Sequence, residues 1–189
     1  LSLASYEQIA EGDRRGLDVV LARHADASIE LLAAPVRALA RRVLIDLVQL
    51  GEGRPNTRRR RTVSELRRAG DEDDALRGVL DHLATRRLIA VGAEAATERH
   101  VDLAHDTLIT GWPALAGWIA ARRDALRTQR RLEARAVSGG LLAASDLPEF
   151  TRWVEWIATP DGQDLGASQR LVELVAASAT EHARAQQEK

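Results

Sequence analysis

His105 and Asp106 sit side by side where the pattern of the chain changes. Residues 88–91 and 100–103 are two short apolar runs separated by a small, polar, Gly-containing segment, which reads as a β-hairpin. Helical spacing begins just after Ala104-His105-Asp106. A histidine at such a junction carries a ring that donates or accepts hydrogen bonds near neutral pH. Its neighbour Asp106 has a plainer use as a helix cap or a partner of the helix dipole. The other four of the five histidines, His24, His82, His100 and His182, show no metal-ligand spacing with His105. A phosphate-binding GxxxxGK[ST] loop needs a lysine, and the only lysine is Lys189. HExxH, EF-hand, GxSxG and GxGxxG patterns are missing as well. The expectation is therefore a chain that is not an enzyme by itself.

The totals narrow the field further. Of 189 residues, 45% are hydrophobic and 29% charged, enough for a core and a solvated surface. With no cysteine there are no disulfides, thiolate metal sites or thiol nucleophiles. A net charge of −1 gives no bulk attraction to nucleic acid or to an acidic membrane. No apolar run approaches the ~20 residues of a membrane span, and no secretory signal is visible. Nearly all basic residues are arginine and alanine is abundant, a high-GC bacterial composition. The sequence contains no methionine, so it is expected to be a piece of a longer or processed polypeptide.

The elements that must position His105 follow from periodicity. Residues 1–34 read as helical, with Leu3, Tyr6 and Ile9 on one face and a break at Gly12. Leu17, Val20, Leu21, Ala25 and Ile29 then form a second stripe, with His24 beside it. A helix starting at Pro35 carries Val36, Leu39, Val43, Leu44, Leu47, Val48 and Leu50 and stops at Gly51. Residues 51–61 read as a polar loop. Thr62 and Glu65 fit a capping box for a short helix over 63–69, broken by Gly70. The acidic run Asp71-Glu72-Asp73-Asp74 opens a third helix through Leu76, Val79, Leu80 and Leu83 to about residue 85. Beyond the hairpin, Leu108, Trp112, Leu115 and Ile119 form one stripe, with Pro113 starting a new helix that runs to about residue 136. After Gly139-Gly140, Asp146 and Glu149 form a second cap pattern ahead of Phe150, Trp153, Val154 and Ile157. A turn at 159–162 precedes a last helix from about residue 167, ending in a frayed polar tail.

Helix, short helix, helix, hairpin is the order of a winged-helix domain. The expected fold class is mainly α with a small β wing, a winged-helix domain at 35–104 flanked by helical segments. A winged helix raises the question of DNA, and Arg58, Arg59, Arg60 and Arg61 form a basic run. The recognition helix, however, would begin with four carboxylates, which repel phosphates. The arginine run is read as a solvated loop touching an acidic neighbour, and nucleic acid is not an expected partner. Trp112, Trp118, Trp153 and Trp156 are read as packing residues.

Residues 101–134, VDLAHDTLITGWPALAGWIAARRDALRTQRRLEA, resemble the region that follows the ATPase domain in bacterial STAND-class signal-transduction NTPases. Residues 43–66 and 16–27 are similar to that family too, and residues 152–177 less closely. The resemblance implies a winged-helix domain packed on a nucleotide-binding domain, ending in a strand, a His-Asp or His-Glu pair, a helix and Trp-Pro. Leu103, His105-Asp106, Leu108-Ile109 and Trp112-Pro113 match that series. In related ATPases the histidine of a Met-His-Asp motif contacts the β-phosphate of ADP and holds a closed resting state. His105 is the matching residue, and Ala104 takes the methionine position.

The resemblance further implies that residues 1–34 end a helical lid and residues 105–189 form a helical linker. It implies ADP or ATP with Mg in the parent protein, none of them a cofactor of this piece alone. Expected partners are the nucleotide-binding domain of the same polypeptide and a downstream repeat or effector domain, often WD repeats, in the cytoplasm. His105 and Asp106 are the nucleotide-sensing candidates. A DNA-binding winged-helix regulator and a structural adaptor for a partner protein are the alternatives.

Overall fold

Small residues decide where the first described helix packs. The computed structural model describes residues 16–51, 53–93 and 98–187, so the stripe of Leu3, Tyr6 and Ile9 lies outside the described residues. Helix α1 spans Gly16–Glu30 and buries Val19, Ala22, Ala25, Ser28 and Ile29. Leu17 and Val20, expected on the buried stripe, are 66% and 49% exposed. Ala25 and Ile29 are buried as expected, and Val19 and Ala22 complete the buried side in place of Leu17 and Val20. At Gly111 an added Cβ would lie 3.4 Å from the Asp18 side chain of α1.

Helix α2, Ala34–Asp46, has Pro35 in its first turn and buries Ala40, Val43, Leu44 and Ile45. It does not reach Leu50 as its periodicity predicts. Leu47 is the C-cap, and Val48–Gln49 forms strand β1. The cause lies in the segment expected to be loop. Asn56 accepts a hydrogen bond from the Gly51 amide (3.2 Å), and a Cβ on Gly51 would fall 2.1 Å from the Arg54 carbonyl oxygen. Only glycine fits there. The returning chain forms β2, Thr57–Arg58, antiparallel to β1 with Val48 opposite Arg58. Strand β3, Arg61–Thr62, follows at once. Two-residue strands are too short to show a period.

The capping box forms as expected. Thr62 Oγ1 accepts from the Glu65 amide (3.2 Å), and the Glu65 carboxylate accepts from the Thr62 amide (2.8 Å). It starts α3, Val63–Leu66, shorter than the predicted 63–69. The Thr62 amide, with help from Arg61, holds the Glu65 carboxyl below the usual carboxylate range. That contribution is present above the ordinary carboxylate pKa and is lost as pH falls through the lowered one. Thr62→Ala is expected to cost about 1 kcal/mol, read as a lower urea midpoint at unchanged slope. An unchanged midpoint would show that the cap contributes nothing.

Helix α4, Asp73–Thr85, buries Leu76, Val79, Leu80 and Leu83 as predicted. Its acidic start is partly neutralised. Asp71 accepts from the buried Arg42 (2.6 Å), which also donates to the Leu66 carbonyl, and Asp73 pairs with Arg67 (2.8 Å). The hairpin is present as β4, Ile89–Ala93, and β5, Arg99–Leu103, with Ile89 opposite Leu103 and Val91 opposite Val101. Strand β3 joins it, giving the order β3-β5-β4, all antiparallel. Helices α5, Thr107–Gly111, and α6, Pro113–Ser138, follow. The fold is mainly α with a small β wing. The expected order of helix, short helix, helix and hairpin is met by α2, α3, α4 and β4–β5.

Two compact units divide between Ile119 and Ala120. The core of the first gathers Val43, Leu44, Leu83, Leu103, Leu108 and Trp112. The second contains the later turns of α6, helix α7 (Leu147–Ile157), a 3₁₀ turn (Gln163–Leu165) and helix α8 (Gln169–Gln187). Its core includes Leu132, Phe150, Trp153, Leu171 and Val175. Asp146 is at the N-cap of α7 but makes no cap bond. Glu149 pairs instead with Arg131 (2.7 Å), and Asp146 lies 3.6 Å from Arg135. Helix α8 continues to Gln187 rather than fraying after Ser178. The His182 ring donates to the Leu142 carbonyl (2.8 Å), and Glu181 pairs with Arg184 (3.1 Å).

Candidate functional site

The junction that carries His105 is fixed at both ends by leucines. Leu103 ends β5 fully buried, and Leu108, the second residue of α5, is fully buried as well. The Ala104 amide donates to the Leu88 carbonyl (3.0 Å), the last rung between the two hairpin strands. With residues 103 and 108 drawn inward, His105, Asp106 and Thr107 are left exposed. The Leu108 and Ile109 amides return to the carbonyls of His105 (3.2 Å) and Asp106 (3.0 Å). The backbone of His105 is thus part of the first turn while its ring points away from the core. Among the described residues that ring has no hydrogen-bond or charged partner.

The other histidines behave differently. His24 donates to the Arg86 carbonyl and His82 to the Ser28 carbonyl, both at 2.8 Å, fastening α1 to α4 from each side. His100 lies on β5, opposite Thr62 and Gly92. No group of three or more metal-ligating side chains occurs among the described residues.

Asp106 is not a side-chain cap. It occupies the N-cap position of α5 without a cap bond, and its carboxylate pairs with Arg58 from β2. Helix α5 has five residues, so its open amides add little to anion attraction. What this junction offers an anion therefore lies in its side chains. Arg58 and Arg60 are the cations beside the junction, and they border a shallow hollow on the outer sheet face with His100, Asp102 and Ala104. Ala90 and Gly92 also line it. A second hollow lies between Asn56, Arg58, Asp106 and Thr110. Arg58 borders both.

Sequence reasoning singled out His105 but not the pairing of Arg58 with Asp106. Nothing in a run of four arginines marks one member as the partner of residues nearly fifty positions later. The expectation that the run touches an acidic neighbour holds for Arg58 with Asp106 and for Arg61 with Glu65 (3.2 Å). Trp112 packs in the core as expected, with Trp118 edge-on at 5.2 Å and Arg41 over the Trp118 ring. Among the described residues no helix is long and apolar enough to cross a membrane.

No curated protein and no solved structure gives a significant match. The family model described as Novel STAND NTPase 1 matches residues 1–139. That span holds the whole hairpin-to-helix junction, and the chain belongs to the Novel STAND NTPase 1 family.

Proposed function

We propose that this chain is the regulatory winged-helix and helical part of a STAND-type signalling ATPase. In this reading residues 1–34 close a helical lid, 35–104 form the winged-helix domain and 105–189 a helical linker. The chain packs on the nucleotide-binding domain of the same polypeptide and distinguishes ADP from ATP. One observation supports this most: the His105 ring is exposed and unpartnered among the described residues, between two buried anchors. An imidazole so placed donates to a phosphate oxygen without first breaking another bond.

Bound ADP or ATP with Mg supplies the phosphates, and hydrolysis belongs to the ATPase domain. The two nucleotides shift the arrangement of the domains only through their different affinities for it. Asp106 contributes through its partner Arg58. Cytoplasmic signalling with a downstream repeat or effector domain fits the same reading. A DNA-binding role has less support, because Asp73 and Asp74 stand at the start of α4.

The purified chain incubated with MgATP is expected to release no phosphate above blank. Its binding to a separately produced nucleotide-binding domain should be about tenfold tighter with ADP than with a non-hydrolysable ATP analogue. Hydrolysis by the chain alone, or equal binding in the two nucleotides, would overturn the proposal.

A further inference from the structure

We infer that Arg58 is the positioning residue for His105. The inference rests on the sensing role proposed above and extends it to a residue outside the matching motif. The Arg58 Nε donates to Asp106 Oδ1, and Nη1 donates to the Leu103 carbonyl oxygen at 3.2 Å. Nη1 also lies 3.9 Å from Asp102 Oδ2. One guanidinium therefore engages the chain on both sides of Ala104-His105 and touches neither residue's side chain. A planar fork holds two acceptors at a fixed separation, which a point charge on a flexible stem does not.

The base of this clamp is itself fixed. Arg58 lies opposite Val48 in the β1–β2 pair, and the Arg59 amide donates to the carbonyl of the fully buried Leu47 (2.8 Å). Leu103 and Leu108 hold the junction from inside, and Arg58 holds it from outside. Asp102 Oδ1 is buried with no hydrogen-bond partner, so this carboxylate depends on the nearby guanidinium for charge compensation. Loss of Arg58 removes the guanidinium that bridges Asp106 and the Leu103 carbonyl and lies beside Asp102. The turn carrying His105 then samples other directions.

The test is a double-mutant cycle on ADP release from the polypeptide that carries the nucleotide-binding domain, followed with a fluorescent ADP. Arg58→Gln is expected to speed release about tenfold in the wild-type background and to change it less than twofold when His105 is already alanine. Arg58→Lys keeps the charge but not the fork and should follow Arg58→Gln. In the isolated chain, Arg58→Gln should broaden or shift the His105 ring resonances while those of His82 stay in place. An equal effect of Arg58→Gln in both backgrounds, or an unmoved His105 ring resonance, would overturn the inference. If His105→Ala itself leaves release unchanged, the sensing role fails, and the ring resonances alone decide whether Arg58 orients His105.

Discussion

Trp112→Ala is expected to destabilise the first compact unit by about 3–5 kcal/mol. Trp112 is fully buried, the largest such side chain among the described residues, and it stands where α5 hands over to α6. Its backbone is extended, with φ −106° and ψ 103°. Pro113 imposes that conformation on the residue before it and so ends α5. The indole therefore drops between two helices. Its Nε1 donates to Asp26 Oδ1 of α1 at 2.6 Å, and its ring meets Trp118 at 73°. Truncation to alanine opens a cavity that several rigid elements line, and rigid linings collapse poorly. Trp112→Phe keeps an aromatic ring and loses the donor, and its cost should be about 1–2 kcal/mol because the freed Asp26 is solvated. Urea unfolding of the purified chain reads both values. A loss under about 1 kcal/mol for Trp112→Ala would mean that the junction is held by something else.

The sequence made the helices legible where large apolar residues repeat. Leu76, Val79, Leu80 and Leu83 state both the existence and the buried face of α4. It failed in part on α1, where Val19 and Ala22 lie inside and Leu17 and Val20 outside, while Ala25 and Ile29 are buried as the stripe predicts. It failed again at β1, β2 and β3. Strands β1 and β2 pair across the tight return that Gly51 allows, β3 pairs with β5, and no periodicity announces a two-residue strand. The capping box was legible because Thr62 and Glu65 act within three residues of each other. The Asp146-Glu149 pattern has the same spacing, yet arginines on α6 claim both carboxylates. Local rules hold until a long-range partner competes.

The candidate site divides in the same way. His105 was legible through the junction and the Trp-Pro that follows. The clamp from Arg58 was not, since it spans 48 positions and joins a strand the periodicity missed. Asp106 shows the difference most clearly. As a local residue it reads as a cap, but in the fold its carboxylate turns to Arg58.

The account turns on the His105 ring, and its second large effect is kinetic. A hydrogen bond from an imidazole to a phosphate oxygen is charge-assisted and contributes about 1.5–3 kcal/mol. Removal of that bond should speed ADP release by about 10- to 100-fold. ATP release should change less, because the sensing contact is proposed for the ADP-bound state. The substitution is not expected to affect folding, because the side chain is exposed and unpartnered among the described residues. The direct measurement is the dissociation rate of ADP from the polypeptide carrying the nucleotide-binding domain, with and without His105→Ala. The account predicts faster release by at least about tenfold at unchanged thermal stability. An unchanged rate would contradict it.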